Sequence, residues 1–160
     1  MGLSASSLSR SRTPATLKRI EPSFMSALAD LICVPPQRVR EIWPRVEAML
    51  GRAVLRTDLS HTADIARDVL EGDGLLWLAI DGEKIEAAAI TLLVHTDRHL
   101  VCLITALGGE NRDRWVPLLS QIEDWARAEG AKRLRLMGRA GWARVLKGYH
   151  VSNIVMERAL

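Results

Sequence analysis

"IEDWARAEGAKRLRLMGRAGWARVLKGYHV", Ile122 to Val151, changes its period within a few residues. Ile122, Trp125 and Ala126 recur at helical steps, Gly130 supplies a C-terminal stop, and Lys132 to Met137 then alternates polar with apolar residues, as a strand does. A short helix at about 139 to 147 and a last strand at 149 to 158 are expected to follow. Upstream, Trp115, Leu118 and Leu119 continue the apolar face, so the spacing predicts a helix over Asn111 to Glu129. A strand before that helix and a strand after it imply a right-handed crossover that makes the two strands parallel.

The strand before it is "HLVCLITAL", His99 to Leu107, the third of three apolar runs. The first two, "LLWLAI" and "KIEAAAITLLV", flank Asp81-Gly82, a pair that favours a two-residue hairpin turn. These runs predict an antiparallel meander over residues 75 to 107. Earlier still, Val39, Ile42, Trp43, Val46, Met49 and Leu50 form one helical face, which Pro44 should kink. A second helix is expected from Ser60, as its cap, to Glu71, before the turn "GDG". The expected fold class is α/β (α+β): a mixed sheet, an antiparallel meander followed by a parallel crossover strand, with helices on both faces.

At 160 residues the chain suits one domain with a real core. Residues 1–24 read as a disordered basic tail or an upstream extension, with Met25 as an alternative start, and residues 25–160 as the single domain. The tail carries Arg10, Arg12, Lys18 and Arg19 against Glu21, which accounts for the whole net charge of +3. The remaining residues balance, which argues against nucleic-acid binding from bulk charge. No apolar run approaches the roughly 20 residues that span a bilayer. Cys33 and Cys102 share no motif spacing and read as reduced packing residues, and no pair of histidines or carboxylates has metal-ligand spacing at helical steps.

The order of elements, together with "IEDWARAEGAKRLRLMGRAGWARVLKGYHV", resembles the GCN5-related N-acetyltransferase superfamily. Its helix, "a-x-x-G" turn, strand, helix and "G-[FY]" sequence are all present, the last pair being Gly148-Tyr149. The resemblance covers about residues 37 to 158. "GRAGWARVL" followed by "GY" is similar to an acetyltransferase-like subgroup of phage and prophage genomes.

The resemblance implies a non-covalent transfer from acetyl-CoA to an amine, borne by a small molecule or a protein. It implies that the backbone from Leu103 through Thr105 to Leu107 holds the pantetheine arm, and that the loop after it, with Gly108, Gly109, Arg112 and Arg114, receives the pyrophosphate. Two departures stand out. The usual loop glycines fall, by alignment, on Asp113 and Trp115, and the tyrosine that protonates the leaving thiolate falls on Arg144. Tyr149 is then the one tyrosine left as acid, although its place is that of a packing aromatic. Glu86 is the chosen general base among Glu83, Glu86, His95, His99 and Glu110. Trp142, flanked by glycine and arginine, is a candidate for covering a cleft or a partner. The rival implication is a catalytically silent member serving as a binding or a virion-associated module, with a phage protein partner, where the enzyme reading expects a cytoplasmic protein.

Overall fold

A computed structural model describes residues 28–160. The expected tail at 1–24 and the alternative start at Met25 lie outside the described residues. The elements are β1 (Asp30–Cys33), α1 (Val39–Leu55), α2 (Thr62–Glu71), β2 (Gly74–Asp81), β3 (Lys84–His95), β4 (Leu100–Gly109), α3 (Leu119–Ala128) and β5 (Arg133–Leu136). The strands form one sheet in the order β1-β2-β3-β4-β5. The first three pairings are antiparallel, and β4 and β5 run parallel from Val101↔Arg133 to Ile104↔Leu136. The meander and the crossover strand expected from the sequence are both present.

Alternation along the strands divides the core between two faces. Leu76, Leu78, Ala88, Ile90 and Ala106 meet Val46 and Leu50 of α1 and Ile65 and Val69 of α2. On the opposite face, Trp77, Ala89 and Ile104 meet Leu119 and Ile122 of α3. Burying each large aliphatic side chain contributes about 1.5–3 kcal/mol. Trp77 also donates from Nε1 to Thr91 Oγ1 at 2.9 Å, which satisfies two buried polar groups at once, and packs edge-on against Trp125 with ring centres 5.2 Å apart.

Several boundaries differ from the sequence expectation, each for a local reason. The edge strand β1, absent from the periodic pattern, pairs with β2 over Asp30↔Ile80 to Cys33↔Trp77. Cys33 is consequently exposed at the sheet edge, whereas Cys102 is the buried packing residue. The hairpin loop is Gly82-Glu83, one residue later than Asp81-Gly82, with Asp81 paired to Lys84 and Gly82 at φ 59° in the first loop position. His61, rather than Ser60, caps α2, its Nδ1 accepting from the Ala63 N–H at 3.1 Å. Helix α3 begins at Leu119 instead of Asn111, because Pro117 lacks an N–H and restricts Val116. Two 3₁₀ turns, Arg112–Arg114 and Val116–Leu118, fill the interval. The short helix after β5 is a 3₁₀ turn, Ala140–Arg144. Residues 149–158 form no strand: their apolar side chains have no ladder partner, and strand propensity without a partner does not fix a strand.

Candidate functional site

The site originates in one extra residue. Ala106 of β4 faces Ile90 and Ile104 faces Thr91, so Thr105 has no partner on β3 and forms a bulge. A bulge bends its strand and increases the local twist. The parallel pairing with β5 stops at Ile104↔Leu136, immediately before it. From Thr105 to Gly109, β4 presents an edge toward β5 that no strand covers. Between this edge and the segment after β5 opens a cleft of about 910 Å³.

The walls come from three places. The end of β4 supplies Thr105, Leu107 and the two glycines; the segment after β5 supplies Gly138, Arg139, Trp142 and Arg144; and the last turns of α1 supply Met49, Arg52 and Arg56. Packing explains the glycines. A Cβ on Gly108 would sit 2.9 Å from the Met49 carbonyl oxygen, so glycine lets α1 approach β4. On Gly109 it would fall 2.5 Å from Ala87 Cβ, across the sheet. A Cβ on Gly138 would stand 2.7 Å from Trp142 Cδ1, so this glycine lets the indole fold back over the chain. Trp142 then packs on Trp115, with ring centres 6.1 Å apart, and joins the two sides of the cleft.

Beyond β4 the chain turns through Asn111, which adopts a left-handed conformation at φ 51°. The Glu110 N–H donates to the Glu86 carbonyl at 2.8 Å, and those of Arg114 and Trp115 close the first 3₁₀ turn. The N–H groups of Asn111, Arg112 and Asp113 have no acceptor among the described residues. Three successive free donors beside a positive side chain suit an anion.

Charge in the cleft is one-sided. Arg52, Arg56, Arg112, Arg139 and Arg144 line it, against Glu110 as the acidic residue. Arg112 lies 3.7 Å from its neighbour Asp113, and the other four have no ion-pair partner among the described residues.

Of the residues singled out from sequence, Thr105, Leu107, Gly108, Gly109 and Arg112 are brought together on this cleft. Leu103 is not: it lies where β4 is still paired, opposite Arg135, and faces a second cleft on the outer side of β5. Arg114 is also elsewhere. Its guanidinium is held by Asp81, with Nη2 2.9 Å from Oδ2, and by Glu86, with Nε 3.0 Å from Oε2. The second contact is an ion pair whose N–H is not directed along the line to the oxygen. Glu86 therefore departs from the role of base: its carboxylate is 3% exposed, is paired with Arg114 and does not line the cleft. It is the unpaired extra residue of another bulge, between Ile85↔Ile80 and Ala87↔Ala79, and that bulge turns it toward Arg114.

Tyr149 departs too. Its hydroxyl donates to Glu123 Oε1 on α3 at 2.6 Å, and the ring lines the second cleft. Burial, and then the bond to the Glu123 carboxylate, hold the phenol protonated well above its ordinary range. Trp115, expected on the apolar face, is 4% exposed and turned inward, its Nε1 donating to the Glu110 carbonyl at 2.7 Å. Sequence reasoning missed Arg52 and Arg56. Their i, i+4 spacing in "GRAVLR" was a signal, but it reads equally as a solvated helix end.

Among the described residues no helix is long and apolar enough to cross a membrane, and no three His, Cys, Asp or Glu side chains gather as metal ligands. No family model matches the chain, and no curated protein matches it in sequence. Solved structures do match in fold. An aminoglycoside acetyltransferase from an uncultured soil metagenomic sample, in complex with sisomicin, superposes with a TM-score of 0.63 at 8% identity, covering 83% of this chain and 96% of that one. A predicted acetyltransferase with acetyl-CoA from Clostridium acetobutylicum gives 0.60 at 12% identity, covering 82% and 96%. A Trypanosoma brucei acetyltransferase gives 0.56 at 14% identity, covering 82% and 99%. The fold is that of the GCN5-related acetyltransferases.

Proposed function

We propose that the protein binds acetyl-CoA in the cleft between β4 and β5 and transfers the acetyl group to an amine. The observation that carries this reading is the Thr105 bulge, which ends the β4–β5 pairing and leaves a free strand edge leading to three unpartnered amides. An extended amide-bearing arm fits such an edge, as an added strand would. The anionic end of the donor suits the Asn111–Asp113 amides and the guanidinium of Arg112. These residues fit the group even though the usual loop glycines are absent.

When bound, acetyl-CoA supplies a thioester whose acyl carbon an amine can attack. The chain's own residues position and screen. The free edge from Thr105 to Gly109 orients the donor, and the Trp115–Trp142 contact limits water on one side. Arg144 stands where the resemblance places a tyrosine acid. A guanidinium stays charged near neutral pH, so it stabilises negative charge on the departing sulfur rather than protonating it.

Sisomicin, bound by the metagenomic protein, is a polyamine, and a cleft with five arginines and one glutamate is a poor host for such a cation. A second reading, a binding module without transfer, is favoured by one observation: Tyr149 is tied to Glu123 and absent from the cleft. The likeness to the phage subgroup is common to both readings, whereas a virion-associated role belongs to the second; a cytoplasmic setting goes with the enzyme. Calorimetric titration with acetyl-CoA, paired with a thiol-release assay over an amine panel, separates the two. The enzyme reading expects one-to-one binding, at least tenfold weaker for Arg112→Ala, and thiol release that depends on amine. Binding without release would support a silent module that keeps the donor cleft, and no binding at millimolar ligand would end the enzyme reading.

A further inference from the structure

We propose that the acceptor amine carries an anionic group, a carboxylate or a phosphate, which Arg52 and Arg56 recognise. The inference rests on the reading of the cleft as an acyl-transfer site and names the class of its second substrate.

The cleft passes between β4 and β5, so it is reached from both faces of the sheet. Helix α3 and the turn carrying Trp142 pack on one face, and α1 packs on the other. Arg112 and the free amides lie on the loop that leads to α3, where the anionic end of the donor is accommodated. Arg52 and Arg56 enter from the α1 side. One stands in the last turn of that helix and the other is its C-cap, one turn apart, so their side chains are neighbours.

A cation near a helix C-terminus offsets the helix dipole, which accounts for the residue type. It does not account for two guanidiniums lining a cavity with no carboxylate paired to either among the described residues. Their forked donors match a carboxylate or a phosphate, and the like charge of the pair repels a polycation. Glu110, the acidic lining residue, follows the end of β4 and is 4.0 Å from Lys84, so it does not neutralise them.

The test uses four acceptors: O-phosphoethanolamine, β-alanine, ethanolamine and spermidine, with the full chain and with the double variant Arg52→Gln/Arg56→Gln. The thermal midpoint of the variant is checked first, and Arg52→Lys/Arg56→Lys serves as a folded control that keeps the charge. For the unmodified protein, kcat/KM for at least one anionic amine is expected to exceed those for ethanolamine and spermidine by tenfold or more. The phosphate and carboxylate arms show which anion is read. In the glutamine variant this preference collapses toward unity, while the acetyl-CoA Kd moves less than threefold.

Equal or better use of spermidine by the unmodified protein, or a preference that survives the glutamine variant, would overturn the proposal. Equilibrium dialysis of O-phosphoethanolamine and β-alanine supplies a readout free of turnover. Retention by the unmodified protein and its loss in the glutamine variant support the anion site even where acetyl-CoA fails to bind, a result that would sink the transfer reading alone. Failure to retain either anion, together with intact acetyl-CoA binding, would sink this inference alone.

Discussion

Trp142 lies against Trp115 because residue 138 is glycine: a side chain there would begin 2.7 Å from Trp142 Cδ1. The passage "MGRAGW" is thus a device for folding one indole onto another across the mouth of a cleft. Gly138→Ala is expected to displace Trp142 and to cost about 1–3 kcal/mol through overpacking. Thermal melting should show a loss of about 2–4 °C per kcal/mol for a chain of this size, with a change in tryptophan emission. An unchanged midpoint and spectrum would mean that the two rings do not depend on Gly138.

Arg114 is a strut rather than a ligand for phosphate. Its guanidinium neutralises the buried Glu86, and its carbonyl accepts from the Ala29 N–H at 3.1 Å, tying the residue before β1 to the loop after β4. Arg114→Ala strands a buried carboxylate, and removing one partner of such a pair costs about 3–5 kcal/mol; the partial exposure of Arg114 places this case at the lower end. Arg114→Met with Glu86→Met should recover most of the loss, because no unpaired charge remains. Denaturant midpoints of the single and double variants measure both effects. A double variant no more stable than Arg114→Ala would contradict this role.

Tyr149 and Glu123 give a pH dependence with a definite sign. The phenol is harder to ionise in the folded chain than in the unfolded one, so its contribution is complete below the ordinary tyrosine range and is lost as pH rises through and above about 10. Tyr149→Phe should therefore lower stability by about 1.5 kcal/mol at neutral pH, for a lost hydrogen bond to a charged acceptor. The gap between the two proteins should narrow as pH climbs past 10. A gap that widens there would reverse the assignment. Acyl transfer, if Tyr149 is not its acid, should lose no more than a few-fold in kcat.

How much of this could be read from the chain depends on how local each cause is. Periods of two and 3.6 located the meander, the α3 region and the crossover strand, because alternation and helical spacing act within a few residues. Pro117 stands in plain sight between Trp115 and Leu119, yet the apolar face continues across it and concealed the late start of α3. The strand β1 has no periodic signature in four residues and exists through its ladder with β2. Site residues were less legible still. Thr105 and Arg112, named by resemblance, both line the cleft, whereas the fates of Glu86, Arg114 and Tyr149 follow from ion pairs and hydrogen bonds across 28 and 26 positions, which no spacing rule encodes. The bulges at Glu86 and Thr105 each rest on register between strands, and register is a tertiary quantity.

The cleft opened by the Thr105 bulge is the centre of the account, and amide chemical-shift mapping with acetyl-CoA tests it most directly. Titrating isotope-labelled full-length protein should move the amides of Thr105 to Asp113 and of Met137 to Val145, and leave those of β1 and β2 in place. No shifts at millimolar ligand, or shifts confined to Tyr149 and the segment after it on the outer side of β5, would contradict the assignment of that cleft.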